Sequence, residues 1–333
     1  MNTRPLIAII GAGGTISSLA TDNRDYMDYP ETGRKLSVHE VIERIPELAD
    51  VADLLPLTFR SVGSSAVGPD DWQRLHATIM QALASHPAIA GVVILHGTAT
   101  LEETAWFLSL TLPARLPVVL VGAQRPLNTL SSDAQANAVN ALRVAADPGA
   151  RGRGVMVVLN DQIHSARAVT KGSTFRLDAF HSPALGPIGV ADPDRVVFHV
   201  PAPAGPGDHP AFALPADGVL PRVDILHAYA GNDGVMVRAC LAAGAAGLVS
   251  AGFAPGMPPT LEREALLDAS RAGIPVVQAS RVGSGRVARR GWIAGQHWIA
   301  ASDLSPIKAR ILLMLALTRT SDPDLLQQIF DTH

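Results

Sequence analysis

Apolar positions along the 333-residue chain take two alternating forms. Short unbroken runs, LIAII over 6–10, GVVIL over 91–95, PVVLVGA over 117–123 and GVMVVLND over 154–161, predict strands buried on both faces. Between them, apolar residues fall three and four apart. Val38, Val41, Ile42 and Ile45 share one helical face, and Trp72, Leu75, Ile79 and Leu83 share another. Further helices are expected from 101 and from 133. Strand and helix in alternation predict an α/β fold, with a mostly parallel sheet carrying helices on both faces.

The pattern breaks at PAPAGPGDHPAFALPADGVLP, 201–221, whose proline and glycine content reads as a linker. It resumes with VDILHAY (223–229), GLVSAGFA (247–254) and PVVQASR (275–281), each strand followed by helical periodicity. A closing helix is predicted from Ser305 as N-cap and Pro306 at its first position. The expected organisation is a larger N-terminal α/β domain over 1–200, the linker, and a smaller parallel-sheet domain over 222–333.

Composition narrows the possible functions. The formal net charge is −3 and there is no basic tract, which argues against nucleic acid and anionic membranes as partners. A single cysteine, Cys240, excludes an intramolecular disulfide and a cysteine-rich metal site. His96, His164, His181 and the other histidines lack metal-ligand spacing, so no metal is expected. The first apolar run is too short for a signal segment and leads into glycines, and no run reaches the ~18 residues of a membrane span. A cytoplasmic protein is expected. Lysine is scarce, at Lys35, Lys171 and Lys308. Each is of interest because lysine, unlike arginine, can give up its proton.

In parallel sheets, sites form beyond the carboxyl ends of strands, and three stretches there carry candidate chemistry. IIGAGGTISS (9–18) has Gly11, Gly13 and Gly14, but Ile16 stands where a dinucleotide loop needs its third glycine, and there is no P-loop lysine. A nucleotide-dependent dehydrogenase is therefore disfavoured. What remains is a glycine turn presenting Thr15 and Ser17. In LHGTATLEETA (95–105), Thr100 and Glu103 fit a capping box at a helix start, a structural task Glu102 is expected to share, which leaves Thr98 on the turn without one. NDQIHSARAVTKGST (160–174) places Lys171 among Thr170, Ser173 and Thr174. A partly desolvated lysine beside a hydroxyl can take its proton and activate it.

Together GAGGTIS, HGTATLEETA and the V-T-K of 169–171 resemble the bacterial-type L-asparaginases and glutaminase-asparaginases. VGAQRPLN (121–128), SAGF (250–253), SRV (280–282) and PIKARILLMLALT (306–318) extend the likeness over nearly the whole chain. The resemblance implies cofactor-free hydrolysis of a side-chain amide to a carboxylate and ammonia. It also implies a homotetramer of intimate dimers. On the same basis Thr15 is the nucleophile, Tyr29 (with Tyr26 as a rival) its supporting tyrosine, and Thr98 and Lys171 the activating pair. Ser64 corresponds to the serine that binds the substrate α-carboxylate, and amides around Gly14, Thr15 and Gly97 would face the carboxylate or oxyanion.

The chain departs from that pattern where the family grips the substrate α-ammonium. Ala99 replaces an aspartate, Ser65 replaces a glutamine, and GSGRVARRGW (283–292) contains no acid. In YAGND (229–233), Gly231 stands where an asparagine is expected, with Asn232 one place away. Two activities are therefore expected to compete: L-asparagine hydrolysis, with Asp233 or a water compensating, and hydrolysis of an amide that lacks a free α-ammonium. A non-catalytic small-molecule-binding protein is the third alternative. Arg289 and Arg290 read as a solvated surface pair that could otherwise bind a second carboxylate.

Overall fold

Strands form where the unbroken apolar runs lie, and their edges are set by glycine and proline. A computed structural model describes residues 4–203 and 209–333. The N-terminal three residues and part of the expected linker, 204–208, lie outside the described residues. The chain divides into two compact units, Met1–Ala211 and Phe212–His333.

In the first unit the strands are β1 (Leu6–Gly11), β2 (Ser18–Leu19), β3 (Arg34–Lys35), β4 (Asp53–Leu57), β5 (Ile89–Leu95), β6 (Val118–Val121), β7 (Val155–Leu159), β8 (Gln162–Ser165), β9 (Thr170–Lys171), β10 (Phe180–His181), β11 (Gly189–Ala191) and β12 (Val196–Phe198). Eight of them make one sheet in the order β12-β11-β8-β7-β6-β5-β1-β4. From β4 to β7 all neighbours are parallel. Beyond β7 the sheet turns antiparallel through β8, β11 and β12. That extension was not anticipated, because QIHS and GVA are too short and too polar to register as apolar runs. β2 pairs with β3, and β9 with β10, as two-residue antiparallel ribbons.

The alternation of side chains across the pleat covers both faces. Ile7 and Ile9 of β1 join Val93, Val119 and Val158 in a core that includes Ala138, Ala141 and Leu142 of the helix Ala134–Ala146. Ala8, Ile10, Val92 and Ile94, of opposite parity, are equally buried. The helices Pro69–Ser85 and Leu101–Thr111 meet through Trp72 and Phe107, whose ring centroids are 5.4 Å apart.

The second unit has β13 (Val223–His227), β14 (Gly247–Gly252), β15 (Val276–Ser280) and β16 (Ile299–Ala300), all parallel and in sequential order. The helix predicted from Ser305 runs Pro306–Ala316, with the Ser305 side chain accepting the Lys308 N–H. It does not close the chain. A further helix, Pro323–Thr332, follows, capped by Asp322 on the N–H groups of Asp324 and Leu325. No helix among the described residues is long and apolar enough to cross a membrane.

Candidate active site

The sheet order places β1 between β4 and β5, with connections leaving on both sides. This is the arrangement that opens a crevice at the carboxyl ends of parallel strands. Thr15 follows β1, Ser64 follows β4 and Thr98 follows β5. Three separate runs of sequence thus deliver their candidate hydroxyls to one edge of the sheet.

Glycines determine how closely these loops approach. Gly14 has φ 82°, and a Cβ there would stand 2.1 Å from Gly97 Cα. A Cβ on Gly97 would stand 2.6 Å from Ser64 Cβ. The three loops are therefore in van der Waals contact through positions where only glycine fits. The first task of these glycines is to admit the loops to each other. The Gly14 N–H is also occupied, donating to the Val62 carbonyl at 3.1 Å. Of the amides expected to face the substrate, those of Thr15 and Gly97 are without a partner among the described residues.

Thr15 starts a single 3-10 turn, Thr15–Ser17, and is largely buried. Its Oγ1 lies 2.6 Å from the Tyr29 hydroxyl. Burial raises the Tyr29 pKa, and the Thr15 bond opposes that rise. Tyr26 is engaged elsewhere: its hydroxyl donates to the Leu130 carbonyl at 3.0 Å, and Arg125 lies 5.1 Å from its ring centroid. Ser17, the other hydroxyl of the glycine turn, is buried with no partner for its Oγ among the described residues.

The segment 20–33 is tied down at both ends. Asn128, in the VGAQRPLN stretch, bonds the backbone of Ala20 twice, at 2.8 Å each way. At the other end Lys35 Nζ donates to Ser18 Oγ at 3.0 Å, and Ser18 Oγ donates to the Gly14 carbonyl at 2.7 Å. Lys35 also lies 5.6 Å from the Tyr29 ring centroid. Burial lowers its pKa, against the pull of Glu31.

Thr98 and Lys171 come from segments 73 residues apart, and Lys171 Nζ donates to Thr98 Oγ1 at 2.6 Å. Burial lowers the Lys171 pKa. The ribbon carrying this lysine is held by Glu102, whose Oε1 accepts from the Lys171 N–H at 3.2 Å and from Thr170 Oγ1 at 3.3 Å. Sequence reasoning missed that role, placing Glu102 with the capping residues. The capping box itself does not form. Thr100 makes no side-chain cap and instead donates its hydroxyl to the Ser64 carbonyl at 2.8 Å. A capping box does form at Ser37 and Glu40.

His96 underlies the same turn. It is fully buried, with Nδ1 2.8 Å from the Gly97 carbonyl and Nε2 3.0 Å from Thr104 Oγ1. A carbonyl only accepts, so Nδ1 carries the proton and Nε2 receives the Thr104 hydroxyl. Burial depresses its pKa to about 4, so it stays neutral near pH 7.

Ser64 Oγ accepts the Ala99 N–H at 3.2 Å, which leaves its own hydroxyl proton to donate. Ala99 and Ser65 are exposed. In the second unit Asn232 is buried and engaged at both ends of its amide, donating to Glu262 and accepting the Gly234 N–H. Asp233 is exposed and accepts the Val235 N–H at a helix start. Gly231 is exposed, with φ 86°. Arg289 and Arg290 are both exposed, as a solvated surface pair requires, and Arg289 pairs with Asp324. No group of three or more His, Cys, Asp or Glu side chains among the described residues is placed to hold a metal ion.

A glycine turn after β1, a threonine turn after the neighbouring β5 and a lysine ribbon beyond the sheet thus come together in an α/β protein. Residues 6–203 match the family described as asparaginase, N-terminal, and residues 222–330 match the glutaminase/asparaginase C-terminal domain. The chain belongs to this family. It is 36% identical to L-asparaginase 2 of Bacillus subtilis, over 99% of this chain and 87% of that protein. It is also 36% identical to a probable periplasmic L-asparaginase of Haemophilus influenzae, over 98% and 93%. A crystal structure of a probable cytoplasmic L-asparaginase from Campylobacter jejuni superposes with a TM-score of 0.91 at 37% identity, covering 98% of this chain and 99% of that one.

Proposed function

We infer that the protein is an amidohydrolase of the L-asparaginase type, with Thr15 as nucleophile. One observation carries the reading: two buried threonine hydroxyls on adjoining loops each lie 2.6 Å from a separate proton-handling group, Tyr29 for Thr15 and Lys171 for Thr98. A protein that only binds an amide has no use for two such pairs. Thr15 Oγ1 attacks the amide carbon and hands its proton to the Tyr29 hydroxyl as Tyr29 gives its own proton to the departing amide nitrogen. The oxyanion meets the N–H groups of Thr15 and Gly97. Ammonia leaves after protonation of the amide nitrogen, and an ester to Thr15 remains. Water then attacks the ester, activated by Thr98, whose proton Lys171 receives in its neutral form. The carboxylate is released and Thr15 recovers its proton. Ser64 holds the substrate carboxylate through its hydroxyl. Homotetramer assembly and a cytoplasmic location belong to the same reading. Light scattering on the purified chain tests the first, and fractionation of the native host tests the second.

Ammonia release from L-asparagine, measured beside Thr15→Ala, tests the activity. Equal rates for the two proteins would refute the nucleophile. A second reading, an amide without a free α-ammonium, is favoured by the side chains around the substrate serine. Ala99 and Ser65 offer no charge, and Glu102, the buried acid beside this turn, holds Thr170 and Lys171 through Oε1 while its Oε2 is buried away from solvent. A higher kcat/KM for des-amino or N-acylated amides than for asparagine would establish it.

A further inference from the structure

Of the scarce lysines, Lys171 has a task at Thr98, and Lys35 stands at the other threonine without one. Lys35 is half-buried, and its Nζ donates to Ser18 Oγ at 3.0 Å. Ser18 is fully buried, and its hydroxyl has one proton, which goes to the Gly14 carbonyl at 2.7 Å. The same carbonyl accepts the Ser17 N–H at 3.1 Å. That carbonyl belongs to the peptide whose nitrogen is the Thr15 N–H, the amide without a partner among the described residues. A line of polar groups therefore runs from an ammonium, through a hydroxyl and a carbonyl, to a vacant donor beside the nucleophile. The other groups facing Lys35 are the Tyr29 ring, 5.6 Å away, and Glu31, which pulls on the same charge from an exposed helix. No acid is bonded to Lys35 among the described residues.

We propose that Lys35, acting through Ser18, is a positioning residue that strengthens the Thr15 N–H as an oxyanion donor. Each hydrogen bond in such a line polarises the next, more so where water is excluded. Electron density drawn toward the Gly14 oxygen leaves the Thr15 N–H more acidic, in place before the reaction begins. The effect on rate rests on the amidohydrolase reading; the polarisation of the peptide does not. A lysine that only anchored the segment 20–33, or only lay over Tyr29, would have no use for the Ser18 hydroxyl.

The chain has two Gly-Thr steps, Gly14–Thr15 and Gly97–Thr98. Isotopic labelling of the glycine carbonyl carbon and the threonine nitrogen therefore isolates two amide signals by nuclear magnetic resonance in the full-length chain, the second serving as control. In Lys35→Met and in Ser18→Ala the Thr15 nitrogen signal should move upfield while that of Thr98 stays in place. Each variant should lower kcat by about three- to tenfold with KM changed less than about twofold, well short of the roughly 10²- to 10³-fold of a deleted oxyanion donor. The double variant should fall no further than the poorer single one, because either change breaks the same line. The inference is overturned if the Thr15 signal stays in place in either variant, if Ser18→Ala keeps the wild-type kcat, or if the two losses multiply. Loss in Lys35→Met alone would assign the lysine to Tyr29 instead. A wild type that releases ammonia no faster than Thr15→Ala refutes the amidohydrolase reading, and the Thr15 signal then decides alone whether the peptide is polarised. Thermal melts and the Thr98 signal separate either result from loss of fold.

Discussion

The two threonines of the site are held in different ways. Thr15 is partnered by Tyr29, which starts a four-residue helix, Tyr29–Thr32, with no buried residue. Most of the segment from 21 to 34 is exposed. Thr98 is partnered by a lysine whose ribbon is anchored on buried Glu102, above a fully buried histidine. One half of the site can open at little cost in buried contacts, while the other is preorganised. The division suits the proposed mechanism, in which substrate enters from one side while the Thr98–Lys171 pair stays fixed on the other.

Removing either primary group should have the largest effect and should not distinguish the halves. Thr15→Ala and Lys171→Met are each expected to lower kcat/KM for amide hydrolysis by roughly 10³-fold or more. Because burial lowers the Lys171 pKa below the ordinary lysine value of 10.5, and the proposed mechanism uses the neutral amine, the rate should rise with pH through that depressed value. Lys171→Arg should lose both the rate and this rise.

The tyrosines sharpen the contrast on the open side. Tyr29→Phe should reduce kcat by about 10- to 100-fold, whereas Tyr26→Phe, which loses only a bond to the Leu130 carbonyl, should change it less than about threefold. Comparable losses in the two variants would mean that Tyr29 has no special claim on Thr15.

On the preorganised side, Glu102→Gln should lower kcat by about tenfold with KM little changed, because the ribbon keeps an acceptor but loses its charge. Glu102→Ala should also destabilise the fold, by about 1–3 kcal/mol for each buried donor left unpaired. Denaturant unfolding separates the two effects.

His96 provides a pH test of the same half. Its folded pKa lies at about 4, below the ordinary histidine value of 6.5. Its contribution to stability is therefore complete above pH 6.5 and is lost as pH falls toward 4, by at most about 3 kcal/mol. The fall in urea midpoint from pH 7.5 to 4.5 should be smaller in His96→Gln than in the wild type. The smallest signal is in hydrogen exchange: amides over 21–33 should exchange faster than those over 96–104, and the reverse order would remove the distinction.

Much of this was legible in the chain before any coordinate. The parallel strands and their helices follow from runs and periods that burial on two faces requires. Thr15, Tyr29, Thr98 and Lys171 could be singled out through motif likeness, and the structure brings them together in two pairs. What could not be read depends on contacts distant in sequence. Thr100 looks like a helix cap until Ser64, 36 residues away, takes its hydroxyl. Glu102 looks like a first-turn acid until a two-residue ribbon 68 and 69 residues downstream reaches it. Such a ribbon is too short to leave a period in the sequence, and local propensity is silent about partners of that kind.

The contact of Gly14, Gly97 and Ser64 also determines where the site can vary. A side chain added at either glycine would push two loops apart and shift both threonines together. Ser65 and Ala99, one residue along from Ser64 and two from Gly97, are exposed and can change without moving that frame. Under the proposed function, substrate preference can therefore be retuned at these two positions while the Thr15–Tyr29 and Thr98–Lys171 pairs stay in place. A library confined to Ser65 and Ala99 should yield folded proteins with altered selectivity, and one that includes the glycines should yield mostly inactive ones.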